Sequence, residues 1–319
     1  MQKFARHAFG YLLGFFNDNT YQTMELSRTI ERPDGGIVGY RIKRGDGPRP
    51  LLVMIHGLAS NLTRWSEFVE YTRLDQQWDL LRIDLRGHGS SMYRGHIGME
   101  MWADDLAAVL EAECYEQATI LGHSLGAQVG MHFHSRYPDR VSGLIMIDPV
   151  FPNNLGGRLL KAKQLKWLVW LTIRLLWLAN RFGLGRKHFP PRDLRKLDEQ
   201  TREILNANPD IEIGQLYTNP FVDLEFIPVV NYLQDTYEVT RALPPLEDIS
   251  PPVLVLLSAG ASVSDPKVNE EMINRMPNVE TVTIEANHWL LTERPKEARE
   301  AIEQWCDQHV PQISGNTGN

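Results

Sequence analysis

The stretch from residue 120 to residue 126, Ile120-Leu121-Gly122-His123-Ser124-Leu125-Gly126, decides how the rest of the chain is read. An apolar run ends at a glycine, and a lone hydroxyl then stands between two glycines where helical spacing begins. Residues 118–121 carry the short apolar pattern of a strand buried on both faces, and Leu125–Arg136 carries the spacing of a helix. A sharp turn between the two would hold Ser124 in a strained conformation. The flanking glycines permit it, because nothing larger fits against the neighbouring strand and helix. Such a turn exposes the hydroxyl and aims the backbone N–H of Leu125 at a reacting carbonyl oxygen. Gly-x-Ser-x-Gly is a weak signal alone; the strand before it and the helix after it give it weight.

The same alternation runs outward in both directions. Upstream, 21–30 and 37–44 read as two antiparallel strands joined by the turn signal Pro33-Asp34-Gly35-Gly36. An apolar run at 50–57 ends in His56-Gly57, a helix is expected over 63–74, and 78–84 reads as a strand closing at Asp84. Residues 99–113 have apolar positions at helical spacing. Downstream, 143–147, 253–257 and 279–284 read as strands, and 269–275 and 295–308 as helices. Strand and helix in turn imply an α/β fold, a mostly parallel sheet with helices on both faces.

From 149 to 245 that rhythm stops. A long helix-like piece, LLKAKQLKWLVWLTIRLLWLANRFG at 159–183, is followed by mixed polar segments, which reads as a helical insertion over the sheet. The expected organisation is an N-terminal amphipathic segment at 1–20, a core made of 21–148 and 246–310, the insertion at 149–245, and a disordered tail at 311–319.

Composition bounds the function. The 319 residues are 43% hydrophobic and 23% charged, an ordinary globular balance with enough apolar surface for a large core. A formal net charge of −7 argues against nucleic acid as a partner, since phosphate binding needs concentrated positive charge. Cys114 and Cys306 both fall in stretches that read as helix, so no disulfide framework is expected and a reducing, cytoplasmic compartment is the default. His132 and His134 lie two apart on a helix and do not share a face, so no metal is inferred.

Four features, in order along the chain, carry a family resemblance. They are Met54-Ile55-His56-Gly57-Leu58, Asp84-Leu85-Arg86-Gly87-His88-Gly89-Ser90, Gly122-His123-Ser124-Leu125-Gly126, and Asn287-His288-Trp289 with Glu293-Arg294-Pro295 after it. With them the chain resembles the α/β-hydrolase superfamily, in its serine esterase and lipase-like form, over about residues 22–310. The insertion takes the place of that superfamily's cap or lid. The resemblance implies Ser124 as nucleophile, His288 as general base, and an oxyanion hole made by the backbone N–H groups of Leu58 and Leu125. Asn287 stands where the superfamily usually has glycine, and asparagine also adopts left-handed turns. His56, His88 and His123 read as structural members of their motifs.

The acid is where the chain departs from the pattern. The usual acid follows the strand at 253–257 in a Gly-x-x-Asp. Here the third position after Gly260 is Val263, and the nearest carboxylate, Asp265, comes two residues late. A minority of the superfamily carries the acid at the end of the strand after the nucleophile helix, where Asp148 stands in Leu144-Ile145-Met146-Ile147-Asp148-Pro149. Asp148 closes an apolar strand, where an unpaired carboxylate is costly to bury, although it could simply accept backbone hydrogen bonds. Asp265, in Ser264-Asp265-Pro266, is equally a good helix start. Asp148 is the favoured acid and Asp265 the alternative.

The expectation is a serine hydrolase acting on carboxylic esters or thioesters of fairly apolar small molecules, with no cofactor. Carbon–carbon bond hydrolysis, acyl transfer and a non-catalytic binding role on the same frame are its rivals. A serine nucleophile argues against the dehalogenase and epoxide-hydrolase branches, which use an aspartate there. The segment 159–182 carries Trp167, Trp170 and Trp177 among leucines, with Lys161, Lys163, Lys166, Arg174 and Arg181. Arg174 interrupts it too centrally for a membrane span. It reads either as a cap helix packed on the core and lining the pocket, or as a basic, tryptophan-bearing helix lying on an interface. The N-terminal FARHAFGYLLGFF, with no small-x-small cleavage site after it, is a second element of that kind. Peripheral membrane contact through either is therefore an expectation to test; no motif speaks to oligomeric state.

Overall fold

The computed structural model describes residues 24–208, 211, 213–217, 219–260 and 266–309. The N-terminal segment at 1–20, Asp265 and the tail at 311–319 lie outside these residues. The strands are β1 (Leu26–Glu31), β2 (Ile37–Lys43), β3 (Leu51–Ile55), β4 (Asp79–Ile83), β5 (Ala118–His123), β6 (Val141–Ile147), β7 (Val253–Ser258) and β8 (Val279–Ile284). They form one sheet in the order β1-β2-β4-β3-β5-β6-β7-β8. β1 and β2 are an antiparallel hairpin whose turn places Gly35 at a φ of 78°, a left-handed conformation that favours glycine. β2 runs antiparallel to β4, and from β4 to β8 every pairing is parallel.

A parallel strand has two buried faces, so its residues must be apolar on both sides and covered twice. In β3, Leu51, Val53 and Ile55 join the cluster that holds Trp102 and Phe133, while Leu52 and Met54 join the cluster that holds Trp65 and Trp305. Helices Met99–Ala112 and Leu125–Arg136 cover the first face; helices Ser66–Tyr71 and Pro295–Gln308 cover the second.

Two expected helices are broken. The segment at 63–74 is a 3-10 turn at Leu62–Trp65, a helix at Ser66–Tyr71 and a second 3-10 turn at Arg73–Gln76. Thr72 causes the break: its backbone is extended, at a ψ of 140°. Its hydroxyl accepts from the Leu74 N–H at 3.2 Å and donates to Glu303 at 2.8 Å, a local alternative to the helical bond. The segment at 159–183 divides into helices Gly157–Gln164 and Lys166–Arg181, hinged at Leu165. The later helix expected at 269–275 starts earlier and spans Pro266–Ile273.

Between β6 and β7 the described residues form helices and no strand. After the hinged pair come Leu194–Ala207, Ile213–Tyr217, Pro220–Asp223 and Val229–Val239. Two anchors tie this region to the sheet. The Gln128 amide, on the helix after β5, donates to the Val150 carbonyl at 2.7 Å and the Val239 carbonyl at 3.1 Å, joining the residues just after β6 to the end of helix Val229–Val239. Buried Arg64 pairs with Asp198 and donates to Thr292 Oγ1 at 2.9 Å, joining helix Leu194–Ala207 to the short helix Leu290–Glu293 after β8.

Candidate active site

β5 ends at His123 and a helix begins at Leu125, so a single residue makes the turn. That residue, Ser124, has φ 54° and ψ −113°, a left-handed backbone that L-residues rarely adopt. The glycines beside it are sterically required. A Cβ on Gly122 would lie 2.3 Å from the Gly126 carbonyl oxygen, and one on Gly126 would lie 2.3 Å from the Ile55 carbonyl oxygen. The Ser124 N–H donates to Ile147 O at 3.0 Å, strapping the turn to the end of β6. The next residue along β6, Asp148, also has a positive φ of 43°, and its N–H donates to Leu256 O of β7 at 2.8 Å. Serine and carboxylate thus sit at adjacent carboxyl ends of parallel strands, where open α/β sheets place ligands.

His288 lies on the loop after β8 and bridges them. Its Nε2 is 3.0 Å from Ser124 Oγ and its Nδ1 is 2.5 Å from Asp148 Oδ2. With the proton on Nδ1, the ring donates to the carboxylate and leaves Nε2 free to accept from the serine hydroxyl. Asp148 Oδ1 accepts from the Ser258 N–H at 3.2 Å and the Ser258 hydroxyl at 3.0 Å. Burial alone would raise the Asp148 pKa; the bonds from His288 and Ser258 outweigh it and hold the carboxyl below the ordinary carboxylate range.

The loop carrying His288 is itself held. Glu293 accepts from the Asn287 N–H at 2.9 Å and from the Asn287 side-chain amide at 3.0 Å. His123 Nε2 donates to the His288 carbonyl at 3.0 Å. Burial and the neighbouring His288 push the His123 pKa down to about 3, so His123 is neutral. Buried His56 donates from Nδ1 to Gly57 O at 2.8 Å and accepts the Leu85 N–H on Nε2 at 3.1 Å. Burial and nearby His88 keep its pKa well below the usual histidine value. His88 pairs with Asp235 of helix Val229–Val239 at 2.8 Å. Burial opposes its charge, but the Asp235 carboxylate prevails and raises its pKa. Asp84 is satisfied by the Leu62 N–H and by Ser90, each at 2.7 Å, and braces the loops after β3 and β4.

The loop after β3 approaches the serine closely: a Cβ on Gly57 would stand 3.4 Å from Ser124 Cβ. The backbone N–H groups of Leu58 and Leu125 donate to no acceptor among the described residues. Two unpartnered donors beside a strained, histidine-bonded serine are what an oxyanion requires. Trp289 packs edge-on to His288 with ring centres 5.7 Å apart, and Tyr217 of the insertion lies 5.3 Å from Trp289. A cavity of about 600 Å³ is lined by Ala59, Asn61, Met92, Phe189 and Phe226 among others; Leu58, Ser124 and His288 are not among its described lining residues. His132 and His134 belong to no metal-holding cluster among the described residues.

Sequence reasoning missed the supporting residues. Ser258 ends β7 beside the strand that delivers Asp148, but that adjacency is a property of strand order. Asp235 and Asp198, the partners of His88 and Arg64, sit in a region where no motif marks them. Only Glu293 left a trace, as part of the Glu-Arg-Pro that follows the histidine motif.

The family model described as the alpha/beta hydrolase fold matches residues 50–295, and the chain belongs to that family. A probable lysophospholipase L2 of Haemophilus influenzae is 24% identical over 321 residues, spanning 94% of this chain and 95% of the relative. Epoxide hydrolase 3 of Xenopus tropicalis is 23% identical over 289 residues, 88% of this chain and 77% of that one. Among solved structures, a hydrolase from Pseudomonas aeruginosa superposes with a TM-score of 0.63 at 20% identity, covering 88% of this chain and 97% of its own. No helix among the described residues is long and apolar enough to cross a membrane.

Proposed function

We propose that the protein is a serine hydrolase that cleaves carboxylic esters or thioesters of fairly apolar molecules through an acyl-enzyme on Ser124. The observation that carries this reading is the unbroken hydrogen-bond chain Asp148–His288–Ser124 beside the free N–H groups of Leu58 and Leu125. As Ser124 Oγ attacks the acyl carbon, its proton passes to His288 Nε2. Asp148 keeps the ring in the right tautomer and stabilises the imidazolium, and the two N–H groups hold the carbonyl oxygen as it becomes an oxyanion. The tetrahedral adduct collapses with loss of the alcohol or thiol, which takes the proton from His288. Water then gives a proton to His288 and attacks the acyl-serine, and the carboxylic acid leaves with Ser124 reprotonated.

Residues 149–245 act in this reading as a cap over a core formed by 21–148 and 246–310. The Gln128 and Arg64 anchors support that assignment, since they fix the insertion to the helix after Ser124 and to the short helix that follows His288. The name lysophospholipase, carried by a relative that aligns over 94% of the chain, agrees with an ester substrate bearing an apolar chain. The epoxide-hydrolase name agrees less, because that branch resembles this fold with an aspartate where Ser124 stands.

The test combines a fluorophosphonate probe with p-nitrophenyl esters of rising acyl length, run beside acyl-CoA substrates. The expected result is probe labelling at Ser124 and product release that vanishes in Ser124→Ala. No labelling of the wild type, together with no Ser124-dependent release from any substrate, overturns the reading in favour of a binding protein.

A further inference from the structure

Helix Lys166–Arg181 is apolar over most of its circumference, with Thr172 and Arg174 the polar residues of its middle turns, a pattern that calls for cover on more than one side. Among the described residues, one side only is covered. Val169, Ile173 and Trp177 face inward, with Lys166 Nζ lying 4.5 Å over the Tyr237 ring and Trp177 meeting His96 edge-on at 5.9 Å. The opposite side repeats at helical spacing through Trp167, Leu171, Leu175, Leu178 and Phe182, and all five are exposed: Trp167 by 67%, Leu175 by 58% and Phe182 by 74%. Leu165 at the hinge and Leu184 beyond the helix extend the same strip. A contiguous apolar strip of this kind on a folded surface marks an interaction site.

Charge identifies the occupant. From 149 to 192 the chain carries nine Lys and Arg and no Asp or Glu, within a protein whose formal net charge is −7. Arg174 lies on the exposed side between the faces of Trp170 and Trp177, at 5.0 and 5.1 Å from their centres. The rings stack on the guanidinium itself, which pairs with no carboxylate among the described residues. A uniformly basic strip repels a second copy of itself and attracts a surface of negative charge. Tryptophans and leucines on one side with basic residues around them are what a helix lying in the headgroup region presents.

We propose that the exposed face of helix Lys166–Arg181, with its hinge and the turn to Leu184, docks the protein on the surface of an anionic phospholipid bilayer. The helix lies along the surface with the aromatic and leucine side chains at the acyl boundary, and Lys161, Arg174, Arg181, Arg186 and Lys187 meet lipid phosphates. This surface stands on its own observations and does not depend on the reaction at Ser124. It would bring the insertion against the place where amphiphilic esters are concentrated.

The experiment is co-sedimentation of the full chain with phosphatidylcholine vesicles, with and without phosphatidylglycerol, at low and high salt. It is run on the wild type, on Leu171→Glu/Leu175→Glu and on Arg174→Ser/Arg181→Ser. Circular dichroism and thermal melting confirm that each variant folds. Expected are sedimentation with the anionic vesicles that salt weakens, a blue shift of tryptophan emission on binding, and loss of binding of about tenfold or more in the glutamate variant, because two charges enter the acyl boundary. The arginine variant is expected to lose the preference for phosphatidylglycerol. A wild type that stays in the supernatant with both vesicles overturns the proposal. So does a glutamate variant that sediments as well as the wild type. A concentration-dependent dimer in sedimentation velocity, abolished by the glutamate change, would contradict it too, since the strip would then be covered by a second copy.

Discussion

The turn at Ser124 and the helix at Lys166–Arg181 are both dense in apolar residues, and the protein treats them in opposite ways. Around Ser124 the strand, the helix and the loop after β3 approach so closely that two positions admit only hydrogen in place of a side chain. Along Lys166–Arg181 six of the eleven apolar residues are exposed. The contrast separates two uses of hydrophobicity. Around Ser124 it holds strand, helix and loop in one close-packed arrangement. Along Lys166–Arg181 it supplies a surface that the described residues leave uncovered.

Substitutions can break that contrast or sharpen it. The largest expected effect is chemical: Ser124→Ala should lower ester turnover by about a million-fold and abolish probe labelling, while its melting temperature stays close to the wild type, measured by calorimetry. Next is Gly126→Ala, whose new methyl would meet the Ile55 and His56 carbonyl oxygens at 2.3 and 2.7 Å. Forcing strand and helix apart should cost about 3 kcal/mol in urea denaturation and misplace Ser124 with it. A third effect lies in pH. Burial, helped by the charge of Arg241, pushes the His132 pKa down from 6.5 to about 4. The unfolded chain therefore takes up this proton first as pH falls, and stability is lost between pH 6.5 and about 4. His132→Gln should lessen the fall of the melting temperature over that window, while buried His56 and His123 keep part of it. The smallest effect is expected in the insertion: Leu178→Ser, at an exposed position, should change stability by less than about 0.5 kcal/mol.

Legibility in the sequence follows the same division. The core strands are readable because burial on both faces leaves only short apolar runs, and the turn at Ser124 because its geometry excludes every residue but glycine at two positions. The positions of Leu58 and His288 follow from motifs whose loops end parallel strands. Strand order is not written locally: nothing in the run at 253–258 says that β7 lies beside β6, so the bond from Ser258 to Asp148 is invisible until the sheet is assembled. The break at Thr72 is hidden for a related reason. Its hydroxyl bonds Glu303, 231 residues away, and no proline or glycine announces the interruption. In the insertion, helical periodicity is clear, but whether a given face is covered depends on what packs there.

Asp148 is the residue on which the account turns, since the chain lacks an aspartate at the usual place and the carboxylate at the end of β6 bonds His288 instead. The most direct measurement is the turnover number of Asp148→Ala beside that of Asp265→Ala on a single p-nitrophenyl ester, with folding of both checked by circular dichroism. The account predicts a fall of about ten-thousand-fold for Asp148→Ala and near wild-type turnover for Asp265→Ala. Near wild-type turnover in Asp148→Ala, with collapse in Asp265→Ala, would contradict it.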